Sequence, residues 1–505
     1  MAYSSSTTDG EILRLRAKVL SENDVFKLGK RKLAKAFVRE LLELSDSASD
    51  EELESAYKAR SPHKEIPADS EEFWNFVEKK YLHLEVEPKT KFAELSFHVN
   101  DDLTALAENL SHIKKELESL EKKKKNDGRL TADERYYRNQ LEYFEKKNLV
   151  AKDEIVDFMT YKIKQYAIAK ASVQHPVIST LESPLFGDLP YTFSRRFYGS
   201  IPDPYDVHSL DEYSNKFMDL PVSSYWEFVK ECKSSPEKFK EHATAYINGV
   251  PGEFPSVREK LADLVEKSHI LFSRKQVIET MLRHYEEKDY ISFVTMAPLQ
   301  IEGIFADICR GIGVSENQLD FSSLNDKLQH IDEGMQSFFF YEYYSFKFPV
   351  LRNLVAHGGL VDGELEGTAI HLMLDLLPVC ELTVSKDLPI MHALEVLKEA
   401  SNGKHKKLVE WLDLRKSVDI PAFYDVHEAI TKAEAHYTSH AFWDYLEGEL
   451  KKLKDVDQVK TSEPVKVAGK LKNSGLAPIQ ADRFLKYSRR IASEAIKQRS
   501  EKLGL

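Results

Sequence analysis

From Asp102 to Lys125 the chain repeats one hydrophobic spacing: Leu103, Leu106, Leu110, Ile113, Leu117 and Leu120 recur every three or four residues among charged neighbours. At 3.6 residues per turn these side chains share one stripe of one helix, and a stripe of this length has to be covered by another helix. The covering helix is the next one in the chain. Asn126-Asp127-Gly128 supplies a turn, Thr131 and Glu134 have the spacing of a capping box, and a second arm runs towards Ala169. The pattern predicts an antiparallel, coiled-coil-like helical hairpin over residues 101–170. It fits either an arm that holds a partner or second protomer, or a pair packed on its own domain.

The helical period governs most of the remaining sequence. Residues 1–100 read as several helices, with Leu and Val three and four apart and Ser, Asp and Pro clusters between them. Residues 171–255 break the pattern: nine of the chain's 19 prolines lie between Pro176 and Pro255, among aromatics such as Tyr191, Phe193, Tyr205 and Tyr225. Proline removes a helical donor and restricts the residue before it, so this stretch is expected to be an irregular connection with short helices, held to its neighbours by its aromatics.

Periodicity resumes at Ser256, a cap for one helix to about Glu286 with Leu261, Leu264, Ile270, Val277, Ile278 and Met281 on its stripe. A second helix is expected from Pro298 to Gly311. The aromatic run from Phe338 to Phe348, expected to be core or dimer interface rather than a base-stacking platform, leads to Pro349, which ends one element and opens a third helix. A fourth extends from about Gly367 to Val384. These elements make a four-helix bundle domain at 256–400, then a helical region (401–455), a linker (456–475) and a basic last helix (476–505). The expected fold class is all-α and multidomain.

Composition narrows the class of protein. A chain of 505 residues is too long for one ordinary core, and 42% apolar with 30% charged residues is the balance of a globular protein. The opening MAYSSSTTDG lacks a signal-peptide core, and no uninterrupted apolar run reaches membrane-spanning length, so a cytoplasmic protein with no membrane contact is expected. Cys232, Cys309 and Cys380 lie too far apart in sequence to suggest a disulfide framework or a zinc ribbon. His436 and His440 have the i, i+4 spacing of a metal pair without the Glu that would come directly after the first His in a zinc protease. There is no phosphate loop or dinucleotide loop either, so neither a cofactor nor a metal is expected.

Charge adds a restriction. A net charge of −12 has the wrong sign for coating nucleic acid broadly, so any RNA enzyme here needs a local basic patch or a substrate delivered by a partner. Lys470, Lys472, Arg483, Lys486, Arg489, Arg490, Lys497, Arg499 and Lys502, against Asp482, Glu494 and Glu501, form the densest basic stretch. It reads as a solvated helix face or as a contact for phosphates.

The segment with most chemistry is Arg352-Asn353-Leu354-Val355-Ala356-His357-Gly358-Gly359. At about 100° per residue, Val350, Leu351, Leu354 and Val355 fall on one side of a short helix and are expected in the core; Arg352, Asn353, Ala356 and His357 fall on the other. Two glycines then end the helix. Arg and His at this spacing arise by chance; Asn directly after the Arg and Gly directly after the His make the string much rarer. It resembles the Arg-Asn-x-x-x-His-Gly signature of the HEPN superfamily, and the resemblance covers about residues 257–397.

The resemblance implies an all-helical bundle and a metal-independent endoribonuclease of toxin, abortive-infection or antiviral systems, with two copies of the motif facing each other across a homodimer axis. The residue types suit that reaction on their own terms. Imidazole titrates near neutrality, so His357 can move the protons of the 2′-hydroxyl and the leaving oxygen. Arg352 offers a fork of donors to the phosphate, and Asn353 can orient the imidazole or hold a phosphate oxygen. Glu302, on the preceding helix, is a further candidate that can position Arg352. RNA is therefore the expected substrate, a homodimer or larger assembly the expected state, and a regulatory protein a further partner. A non-catalytic helical scaffold for oligomerisation is the alternative.

Overall fold

The computed structural model describes residues 9–22, 24–45, 47–60, 66–172, 206–250, 254–356, 365–453, 459 and 461–503. The chain divides into two compact units, Met1–Leu210 and Asp211–Leu505. The fold is all-α: among the described residues every regular element is helical, and the only β contacts are the isolated bridges Leu84 with Ser172 and Val250 with Phe254.

The first unit runs through α1 (Asp9–Glu22), α2 (Val25–Leu42), α3 (Asp50–Arg60), α4 (Ser70–Lys80), α5 (Pro88–Asp127), α6 (Ala132–Asp157) and α7 (Ile163–Ala171), with a π-helix at Phe158–Lys162. Its core is aromatic, with Phe37, Tyr57, Phe73 and Trp74 packed among Leu33, Val38 and Leu53. In α5, Leu106, Ile113 and Leu120 are buried at intervals of seven, while Leu103, Leu110 and Leu117 between them are half-buried. That is the pattern of a helix covered along one seam. Gly128 turns the chain at φ 76°, and Thr131 accepts from the Glu134 amide while the Glu134 carboxylate takes the Thr131 amide, closing the capping box that starts α6. The first arm begins at Pro88, earlier than the stripe alone suggests, because proline fits the first turn of a helix.

The second unit holds α8 (Val222–Ser234), α9 (Pro236–Asn248), α10 (Val257–Lys267), α11 (His269–Ser273), α12 (Lys275–Glu286), α13 (Tyr290–Gly311), α14 (Glu316–Leu319), α15 (Leu324–Gly334), α16 (Phe348–Ala356), α17 (Leu365–Leu382), α18 (Pro389–Ser401), α19 (His405–Ser417), α20 (His427–His436), α21 (His440–Lys451), α22 (Glu463–Asn473) and α23 (Pro478–Leu503). At its centre α13 and α17 run along each other; α12 packs on α13, and α9 and α10 pack on α17. By length and composition α13 is the one described helix able to cross a membrane, with mean hydropathy 1.3. In this fold Phe293, Ala297, Ile301, Ile304, Phe305 and Ile308 of that helix are core residues.

Four further boundaries differ from the sequence expectation. The helix expected from Ser256 to Glu286 is three, because the Ser268 hydroxyl accepts from the Leu271 amide and starts a new helix. α13 begins at Tyr290 rather than Pro298: Lys288, at φ 60°, breaks the chain and Asp289 caps the new helix, leaving Pro298 in the helix interior. The stretch expected as an irregular connection with short helices holds α8 and α9, of 13 residues each, and these belong to the second unit; residues 173–205 and 251–253 of that stretch lie outside the described residues. The expected linker 456–475 contains α22, whose Val467, Ala468 and Leu471 share one face and are buried with Trp411, Phe442 and Phe484.

Candidate active site

The segment that carries Arg352 is built from the aromatic run before it. Tyr341 and Glu342 are already helical, Tyr343–Lys347 is a π-helix, and α16 continues from it without a break. Pro349 therefore does not separate two elements. Its ring faces the carbonyl four residues back, which lies in the wider π turn, and that widening relieves the clash that an α-helix would impose. Tyr343, Tyr344, Ser345, Phe346 and Phe348 are buried and fix the segment to the core.

Beneath this run lies a buried polar network. The Lys216 ammonium donates to Asp375 Oδ1 at 2.7 Å, to the Tyr343 hydroxyl at 2.9 Å and to Asn215 Oδ1 at 3.0 Å. Tyr343 donates to Asp375 Oδ1 at 2.9 Å, Tyr344 to the Asp375 backbone carbonyl at 2.7 Å, and Asn215 Nδ2 to Asp375 Oδ1 at 3.1 Å. Burial pushes the Lys216 ammonium below the usual lysine pKa, with Asp375 opposing it, and burial together with the Asp375 charge pushes both tyrosine hydroxyls well up. This network joins α17, the π-helix and the coil before α8. Sequence reading missed it, although Asp375 alone among Leu372, Met373, Leu374, Leu376 and Leu377 is a carboxylate that burial would oblige to find a partner.

At the other end of α16, the Arg352 Nη2 lies 3.0 Å from Glu302 Oε2 on α13, and its Nη1 donates to Asn353 Oδ1 at 3.1 Å. The other Glu302 oxygen is 3.7 Å from the Lys327 ammonium on α15. Glu302, Arg352 and Asn353 are thus brought together, and Lys327 joins them although no sequence pattern singled it out. His357 lies outside the described residues, as do Gly358 and Gly359.

One face of α16 is turned differently from the sequence expectation. Leu354, expected in the core, is 45% exposed, while Arg352 faces α13. Leu354 is about 160° round the helix from Arg352, so a helix that aims Arg352 at Glu302 must aim Leu354 outwards. The helix thus turns its arginine, not this leucine, towards α13.

Away from α16 the other candidates stand apart. His436 Nε2 lies 3.2 Å from the Ser401 carbonyl, and no group of three or more possible metal ligands occurs among the described residues. The three cysteines are buried thiols. In the basic C-terminal stretch Lys470 pairs with Asp413 at 2.5 Å and Lys472 with Asp482 at 2.7 Å, while Arg483, Lys486 and Arg489 are exposed on α23.

Comparison with known proteins adds no relative: no family model, no curated protein and no solved structure matches the chain.

Proposed function

We propose that the protein is a metal-independent endoribonuclease of the HEPN type, acting in the cytoplasm as the toxic effector of an antiviral or abortive-infection system. One observation carries the reading: the helix that leads into His357 holds an arginine fork beside an asparagine, and a carboxylate from α13 anchors that fork at 3.0 Å. RNA supplies its own nucleophile. His357 takes the proton of the 2′-hydroxyl, the oxygen attacks the adjacent phosphorus, and the 5′-oxygen leaves with a proton from an imidazole, giving a 2′,3′-cyclic phosphate and a 5′-hydroxyl. Arg352 and Asn353 stabilise the charge that builds on the phosphate oxygens.

Arg352 and His357 are about 140° apart on an ideal helix, so a homodimer that brings two copies of α16 together completes the site from both chains. Exposed Leu354 suits such an interface. A regulatory protein partner is the natural means of holding a toxic activity in check. The test is incubation of the purified protein with total RNA in EDTA, with analysis of the new ends. Cyclic phosphate ends support the reading; loss of cleavage in EDTA, or 3′-hydroxyl ends, overturns it.

A second reading, a non-catalytic oligomerisation scaffold, draws on the first unit, where Phe97, Val150, Val156 and Tyr161 of the α5–α7 region are exposed. Under that reading wild-type and Arg352→Ala proteins self-associate alike and neither cleaves RNA.

A further inference from the structure

The Arg352 site holds two cations and one carboxylate. Glu302 uses its two oxygens separately, Oε2 towards Arg352 at 3.0 Å and Oε1 towards Lys327 at 3.7 Å. All three side chains are partly withdrawn from solvent, with 35% of Arg352, 22% of Glu302 and 12% of Lys327 exposed. Within this triad two cations share one carboxylate, where partial burial weakens screening by water. Lys327 is held in position by donating to the Ser322 carbonyl at 3.1 Å. Its neighbour Asp326 attracts it through space, but that carboxylate is directed at the Ser323 amide at 2.8 Å and hydroxyl at 2.7 Å in the cap of α15. Arg352 also has a donor to spare: its buried Nε has no hydrogen-bond partner among the described residues.

We infer that Glu302 occupies the seat of a phosphodiester, and that Lys327 is the second cation of that seat. A carboxylate bridging two cations through two oxygens has the same layout as a phosphodiester presenting its two non-bridging oxygens. RNA binding then exchanges one anion for another: the phosphate takes Arg352 and Lys327, and Glu302 is displaced. The glutamate keeps the arginine aimed across α13 while no substrate is present and competes with substrate for it. This rests on the ribonuclease reading and adds to it a cation and an internal competitor. It also gives a net-acidic chain a local cationic site away from its basic C-terminal stretch.

The experiment is fluorescence anisotropy with a 2′-O-methyl oligoribonucleotide, which lacks the nucleophile and stays intact, over a range of salt concentrations. Arg352→Ala should weaken binding. Lys327→Met, which keeps the apolar stem in its slot, should weaken binding about fivefold or more and make the salt dependence shallower by about 0.7 in log–log slope, the value for one phosphate contact on a single strand; Lys327→Arg should restore both. Glu302→Gln removes the competitor and should tighten binding about fivefold. The inference falls while the ribonuclease reading stands if Arg352→Ala weakens binding but Lys327→Met changes neither affinity nor slope, or if Glu302→Gln weakens binding as Arg352→Ala does, since the glutamate is then only a positioning residue. Wild-type protein that does not bind, or a folded Arg352→Ala protein that binds like wild type, overturns both. The Glu302→Gln measurement decides the matter even where a Lys327 variant fails to fold.

Discussion

Arg352 and Glu302 are 50 positions apart in the chain and 3.0 Å apart in space, and their contact ties α16 to the central helix of its unit. Arg352→Ala and His357→Ala are each expected to lower RNA cleavage by about 10² to 10⁴. Loss of the arginine should cost little stability, less than about 1 kcal/mol, because the pair is partly exposed and Lys327 remains beside Glu302. Arg352→Lys should not rescue activity, since a point charge cannot reach Glu302 and Asn353 at once. Cleavage assays beside thermal melts check all three, and full activity in both alanine variants would remove these residues from the reaction.

Leu354→Asp is expected to leave the fold standing. The side chain is 45% exposed, so the charge stays hydrated and the change in stability should be within about 0.5 kcal/mol. Phe348→Ala, a few residues earlier and fully buried, should cost about 3 to 5 kcal/mol. Denaturant titration separates the two, and light scattering of the folded Leu354→Asp protein should show weaker self-association than wild type.

Lys216→Met alone should destabilise strongly, by about 3 to 5 kcal/mol, because it leaves the Asp375 carboxylate buried without its cation. Combining it with Asp375→Leu should recover much of that loss, since an apolar pair of similar volume has no charge to desolvate. Additive losses in the double variant would show that the tyrosines, rather than the ion pair, hold the site.

His371 gives the fold an acid limit. Burial, reinforced by the Lys216 charge, lowers its pKa to about 3, and its ring stacks on Phe239 at 4.4 Å. The unfolded chain therefore takes up a proton near pH 6.5 that the folded chain refuses until about pH 3. The stabilisation from this group is fully present above pH 6.5 and is lost as pH falls towards 3, by up to ~1.4 kcal/mol per pH unit. Melting temperatures measured between pH 7 and pH 4 should fall, and His371→Gln should flatten that slope; an unchanged slope in the variant rules His371 out as its source.

Local features were readable in the sequence, and features that depend on distant partners were not. The capping box at Thr131 with Glu134 and the cap at Ser256 need only a few consecutive residues, and both are present. Pro298 misled because a proline suits a helix start without requiring one, whereas Asp289, nine residues earlier, makes the actual cap. Lys216 looked like any surface lysine, since its partner Asp375 lies 159 positions away. The residue types of the candidate site could be named in advance, but not the rotation of their helix, because periodicity sorts side chains into faces without saying which face a charge will claim.

That rotation is inherited from the π-helix at Tyr343–Lys347. A π turn accommodates one more residue than the α-helical turn it replaces. Wound as an uninterrupted α-helix, the same sequence would carry every later side chain one place further on, about 100° round the axis. Leu351 would then face Glu302, and Arg352 would turn away from it. The aim of the arginine is thus a matter of counting: one extra position, absorbed among buried tyrosines, decides which residue of α16 meets the carboxylate.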